Sequence, residues 1–204
     1  MRQAAQLLLV EATAIRPILE RLEPSQFDLA TVCTGWSVRD VLGHCAAALT
    51  MTANDDLHEF TAEENEADVA ERRSWPVEDV IGELFRGYDI AAAAIDAAGG
   101  PLDGIGLGEW IHGGDVREAV GAPHPYTSEG VELAFDVMLE RSVRRQAIDV
   151  FVDDRVGRFG GLGHAVGVLR TDLETFMRLC SGRRPDHGRF ELTGVEPSAL
   201  VLFD

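Results

Sequence analysis

The chain has no lysine: all 18 of its basic residues are arginine, set against 35 acidic ones. The resulting formal charge of −17 excludes a general nucleic-acid binder, which needs a basic stripe to neutralise phosphates. Long apolar runs are missing too. Ala91-Ala92-Ala93-Ala94 lies in an apolar stretch far short of a membrane span, so no membrane is expected as a partner. Cysteine is scarce. Cys33, Cys45 and Cys180 form no CxxC or zinc-ribbon spacing, and an odd count speaks against a disulfide framework. Core packing is the reading for all three.

What is present describes a globular protein. A hydrophobic fraction of 46% in 204 residues suffices for one large domain or two small ones with an ordinary core. The segment from Met1 to Val10 could pass for a signal peptide, but Glu11, Arg16 and Glu20 interrupt it at amphipathic spacing. It reads as a first helix, and the chain as cytoplasmic. Charge is unevenly spread: residues 141–189 hold ten arginines against six acids, a net of +4, leaving −21 elsewhere. A GC-rich genome produces an arginine-only basic set without any function. An arginine-rich region beside an acidic one also suits an anionic small molecule.

Apolar residues recur at helical spacing over residues 2–22, where Leu8, Ala12, Ile15, Ile18, Leu19 and Leu22 share a stripe and Pro17 predicts a kink or break. Ser37 is a good N-cap, with Asp40 in the acidic first turn of a second helix that runs to about Thr52 and carries His44. Residues 54–74 are crowded with acids and read as a solvated loop plus a surface helix, or as a mobile cover over a pocket. Further helices are predicted at 76–98, 107–120 and 128–145, which makes a helical bundle. Behind it the texture changes. Residues 147–152 alternate like a strand, 158–167 read as a glycine-rich turn, 171–180 as a helix, and 189–193 and 199–203 as strands. The expected fold class is α+β: a four-helix bundle over 1–145, then a small α/β domain over 146–204.

Two histidines carry the chemistry. Glu109 and Asp115 stand three residues before and after His112, so both carboxylates neighbour its imidazole on a helix surface. With His44 from a facing helix they would form an open N/O site suited to zinc or another divalent ion. Gly113-Gly114 costs a helix roughly 1 kcal/mol per glycine, which implies close approach of a neighbouring backbone or ligand. Trp36 reads as a hydrophobic clamp at a helix start. His58, His124, His164 and His187 have no partner pattern and read as surface or loop positions.

The run Thr34-Gly35-Trp36-Ser37-Val38-Arg39-Asp40 with His44 resembles the C-x-G-W-S/T-V-R-D-x-x-x-H signature of the mycothiol-dependent maleylpyruvate isomerase family. His112-Gly113-Gly114-Asp115-Val116-Arg117, followed by Gly121, is similar to that family's second motif. Asp172-Leu173 through Leu179-Cys180-Ser181-Gly182-Arg183 resembles the ending of its C-terminal domain. The resemblance implies a DinB-like four-helix bundle with a divalent metal, held by a histidine of the second helix and a carboxylate–histidine pair on a later one. His44 and His112 carry over directly. The acid expected four residues before the second histidine is Gly108 here, which leaves Glu109 or Asp115 to complete the shell. The implied activity is a mycothiol-dependent isomerase or transferase: the metal turns the thiol of mycothiol into a thiolate that adds to a small electrophilic substrate, whose carboxylate Arg183 orients. Arg183 and Arg184 also simply favour the C-terminal end of a helix. The alternative is a non-catalytic small-molecule-binding or stress-response member of the same scaffold, and a third reading is a homodimer using residues 54–74 for protein contacts.

Overall fold

The computed structural model describes every residue except 58, 186–188 and 204, and so His58 and His187 lie outside the described residues. The described chain divides into two compact units, Met1–Gly130 and Val131–Asp204. The change of texture near residue 146 marks the start of the first strand, whereas compactness divides fifteen residues earlier, so the helix after Gly130 goes with the sheet.

The first unit holds five helices: α1 (Gln3–Leu19), α2 (Val38–Asn54), α3 (Ala62–Arg72), α4 (Val77–Ala98) and α5 (Asp103–Ala119). Four of them close a ring, with α1 and α2 each packed against both α4 and α5. This is the expected four-helix bundle. Leu8, Ile15, Val41, Leu49, Leu84, Ile95, Leu107 and Trp110 fill its core. Local chemistry sets the helix ends. The Ser37 side chain accepts from the Asp40 amide while the Asp40 carboxylate accepts from the Ser37 amide, so a reciprocal box starts α2. Pro17 falls in the last turn of α1, and the helix runs on through it to Leu19.

The acidic segment is more firmly held than a solvated surface helix. Arg72, near the end of α3, is buried and donates twice to Glu83 of α4, both at 2.7 Å. Val69 is buried beside it. No helix of the described residues is long and apolar enough to cross a membrane.

The second unit contains α6 (Val131–Arg141), β1 (Ile148–Val152), β2 (Arg155–Phe159), β3 (Gly167–Thr171), α7 (Leu173–Cys180) and β4 (Phe190–Thr193). The sheet order is β2-β1-β3-β4, with β3 parallel to β1 and both edges antiparallel. Helix α7 buries Phe176 against Phe135 of α6, at 5.0 Å between ring centroids. Two readings need correction. Residues 199–203 are no strand: Pro197 opens a 3-10 turn to Leu200, and only the Leu202 amide bonds onward, to the Cys180 carbonyl. Residues 158–167 are not all turn, because Arg158 and Phe159 end β2 and Gly167 begins β3. Glycine and charged side chains hide both strands from a hydrophobic pattern. The bundle-plus-small-sheet architecture itself stands as expected.

Candidate functional site

The site lies in the first unit, where α2 and α5 pack together. His44, in the second turn of α2, is buried, and its ring lies 5.1 Å from that of His112 on α5 in an edge-on arrangement. The Trp36 ring lies 5.1 Å from His44 on another side, and Phe60 follows at 6.3 Å. Trp36 is therefore more than a clamp at a helix start. Its Nε1 donates to Glu66 Oε2 at 3.0 Å, and Arg73 ties Glu66 (2.6 Å) to Asp40 (2.9 Å) in the first turn of α2. Burial acts to raise the Asp40 carboxyl, but the Ser37 amide and Arg73 outweigh it and hold the carboxyl below its ordinary value.

On α5 the key carboxylate is Asp115, which is fully buried. Its Oδ2 lies 2.9 Å from His112 Nδ1 and accepts from the Cys33 thiol at 3.2 Å; its Oδ1 accepts from the Tyr126 hydroxyl at 2.6 Å. Cys33 Sγ is 3.9 Å from His112 Nδ1. One donor atom each from Cys33, His112 and Asp115 lies within 4.8 Å of the other two, a spacing that could hold a metal ion. Cys33 was expected to pack in the core. It is only half-buried, because the loop before α2 turns sharply there, with the Trp36 amide bonded to the Cys33 carbonyl at 2.9 Å. Spacing gave no hint of its role, since its partners lie about 80 residues away; the one signal was the cysteine that opens the C-x-G-W signature, which falls on Cys33.

Glu109 takes another direction. It is buried with the Cys45 thiol, which donates to its carboxylate, and its Oε2 has no hydrogen-bond partner among the described residues. Burial pushes its carboxyl well above the ordinary range; the Cys45 bond opposes this and the charge of Glu11 reinforces it. Burial likewise raises the Cys45 thiol, with the Glu109 charge adding to it. The His44 and His112 rings are thus brought together and Asp115 bonds to His112, whereas His44 and Glu109 both stay outside the three-donor group of Cys33, His112 and Asp115.

The paired glycines of α5 make room for neighbouring protein groups. A Cβ on Gly113 would lie 1.8 Å from Glu11 Oε1, and one on Gly114 would lie 2.8 Å from the Tyr126 ring and the Pro125 carbonyl. Gly114 thereby admits the hydroxyl that braces Asp115. A cavity of about 370 Å³, lined by Cys33, Thr34, Trp36, Ala62, Asn65 and Glu66, opens beside the site, so the acidic segment supplies one wall. Arg183 belongs to the second unit, just after α7. It is half-buried, with Nη1 donating to the Ser181 carbonyl at 2.6 Å. His124 and His164 are exposed, as expected.

Residues 8–120 match the family described as mycothiol maleylpyruvate isomerase N-terminal domain. Among solved structures, the chain is similar to the mycothiol-dependent maleylpyruvate isomerase at a TM-score of 0.61 and 12% identity, over 95% of this chain and 93% of that one. A histidine-to-alanine mutant of that enzyme matches at the same TM-score and coverage with 11% identity. At such identity these structures speak to the fold alone. No curated protein matches the chain in sequence.

Proposed function

The chain belongs to the mycothiol maleylpyruvate isomerase N-terminal domain family, and from that premise we propose that it is a metal-assisted, mycothiol-dependent isomerase of small, electrophilic, carboxylate-bearing molecules. The observation that carries the reading is the convergence of His44 and His112 from two helices, with Asp115 bonded to the second ring. Imidazole and carboxylate donors fit zinc, and His44, His112 and Asp115 would hold it. A bound divalent ion lowers the pKa of a thiol so that a thiolate is available near neutral pH.

The residues around it have separate tasks. Tyr126 fixes the Asp115 carboxylate by donating to its Oδ1, as an outer partner of a metal site does. Trp36 and Phe60 keep water from the His44 ring. Mycothiol, when bound, would supply a sulfur nucleophile that adds reversibly to an activated double bond, so that the bond can rotate before the thiol leaves again.

The test is an isomerase assay on a panel of cis-unsaturated keto acids and dicarboxylates, with and without mycothiol. Turnover that requires the thiol, and falls by about 100-fold or more in His44→Ala with loss of bound metal, is expected. Turnover independent of both would overturn the reading.

A second reading has its own support: position 108 is glycine, and Glu109 faces Cys45. A non-catalytic member that has lost a ligand would bind zinc weakly until Gly108→Glu restores it. A large gain in affinity confined to that variant would favour the non-catalytic reading.

A further inference from the structure

Resting on the metal reading above, we propose that Cys33 is itself a metal ligand, its thiolate forming with His112 and Asp115 a three-donor face beside the cavity. Zinc bonds of about 2.0–2.1 Å to nitrogen or oxygen and about 2.3 Å to sulfur put neighbouring tetrahedral donors roughly 3.3–3.6 Å apart. The distances here are 2.9 Å from His112 Nδ1 to Asp115 Oδ2, 3.2 Å from Cys33 Sγ to the same oxygen, and 3.9 Å from sulfur to nitrogen. Each edge lies within about half an ångström of what the ion requires. The three residues come from two places, the turn before α2 and one face of α5, so α5 supplies a rigid pair and the turn supplies the closing donor.

The surroundings favour the same use. Tyr126 occupies Oδ1 of Asp115 and leaves Oδ2 for the cluster. Cys33 also lines the cavity wall, which gives an ion a way in. Thiolate, imidazole and carboxylate together suit zinc better than magnesium or calcium, which take oxygen donors. When the ion binds, the thiol proton leaves to solvent and a Cys33 S–metal bond replaces the S–H bond. His112 would bind the ion through a ring nitrogen that carries no proton.

Cobalt(II) titrated into the metal-stripped full chain tests this. A tetrahedral ligand-field spectrum together with a sulfur-to-cobalt charge-transfer band is expected. The band should vanish in Cys33→Ser and persist in Cys45→Ser and Cys180→Ser. Zinc affinity of Cys33→Ser should fall by more than the 10- to 100-fold that loss of an outer partner costs. Zinc X-ray absorption on the unmodified chain, reading one sulfur neighbour at about 2.3 Å, gives the same answer without any variant having to fold. Cobalt bound without the band, or a band that survives in Cys33→Ser, overturns the role of Cys33 and leaves the metal reading standing. No cobalt bound at all overturns both.

Discussion

Helix α5 buries polar groups on two faces, and the two are built on opposite principles. Toward α1, Arg117 donates to both oxygens of Glu11, at 2.9 and 3.0 Å, with both side chains buried and Gly113 stripped of a side chain to let them meet. Toward the turn before α2, Asp115 meets an imidazole, a thiol and a phenol. A guanidinium keeps its charge at any ordinary pH and holds a carboxylate in a fixed fork. Imidazole and thiol can give up protons and take a metal in exchange. The first face holds the helices together, and the second keeps its chemistry available. A sequence that looks uniformly decorated thus separates structural from reactive polarity across the width of one helix.

The separation can be broken from either side. Glu11→Ala should have the largest effect on folding, because it leaves Arg117 buried without its partner. A loss of about 3–5 kcal/mol in urea unfolding is expected, with zinc affinity of the surviving folded protein little changed. His112→Ala should do the reverse, costing less than about 1.5 kcal/mol of stability while zinc affinity falls about 100-fold or more. If His112→Ala unfolds the protein, or Glu11→Ala abolishes metal binding in folded material, the two faces are not independent. Tyr126→Phe is a milder probe of the reactive face. Losing the 2.6 Å bond to Asp115 should lower zinc affinity between about 10- and 100-fold and leave the fold intact, as equilibrium dialysis with a near-ultraviolet spectrum would report.

Which parts of this were legible in the sequence follows from range. The start of α2 was, because the Ser37–Asp40 box acts across three residues, and so was the placement of His44 on a buried helix. The bundle was legible because four stripes with short connections have few other ways to bury themselves. Glu109 and Asp115 looked equivalent because each stands one turn from His112. At about 100° per residue they lie roughly 60° to either side of it, some 120° from each other. The core then decides, sending Asp115 to Cys33 and Tyr126 and Glu109 to Cys45. Cys33 was read as core packing, although the C-x-G-W signature opens on it, because no local rule connects a turn cysteine to a helix 80 residues on. The C-terminal strand at 199–203 was misread for a related reason: alternation is a local signal, and pairing is not.

Glu109→Gln gives the smallest effect and discriminates most finely between the two faces. Burial lifts the Glu109 carboxyl well above its ordinary value, so the native protein keeps a proton there to higher pH than the unfolded chain does. Glu11 behaves alike: burial, opposed by Arg117, raises it from 4.5 to about 7. A carboxyl whose folded pKa is raised contributes stability below its unfolded pKa and loses it as pH climbs through the folded one. For Glu11 that window runs from 4.5 to about 7, and the raised Glu109 carboxyl adds to the same trend. The unfolding free energy should therefore fall as pH rises across this range, opposite to the usual acid-denaturation slope. Glutamine keeps the shape of a protonated Glu109 and cannot ionise. The variant should lie within about 1 kcal/mol of the parent near pH 6 and show a shallower decline above it, in urea melts taken across the window. Its zinc affinity should stay within about twofold of the parent, because the Glu109 carboxyl lies with Cys45, outside the three-donor group. A drop of 100-fold would move Glu109 into the coordination shell and join the two faces into one site.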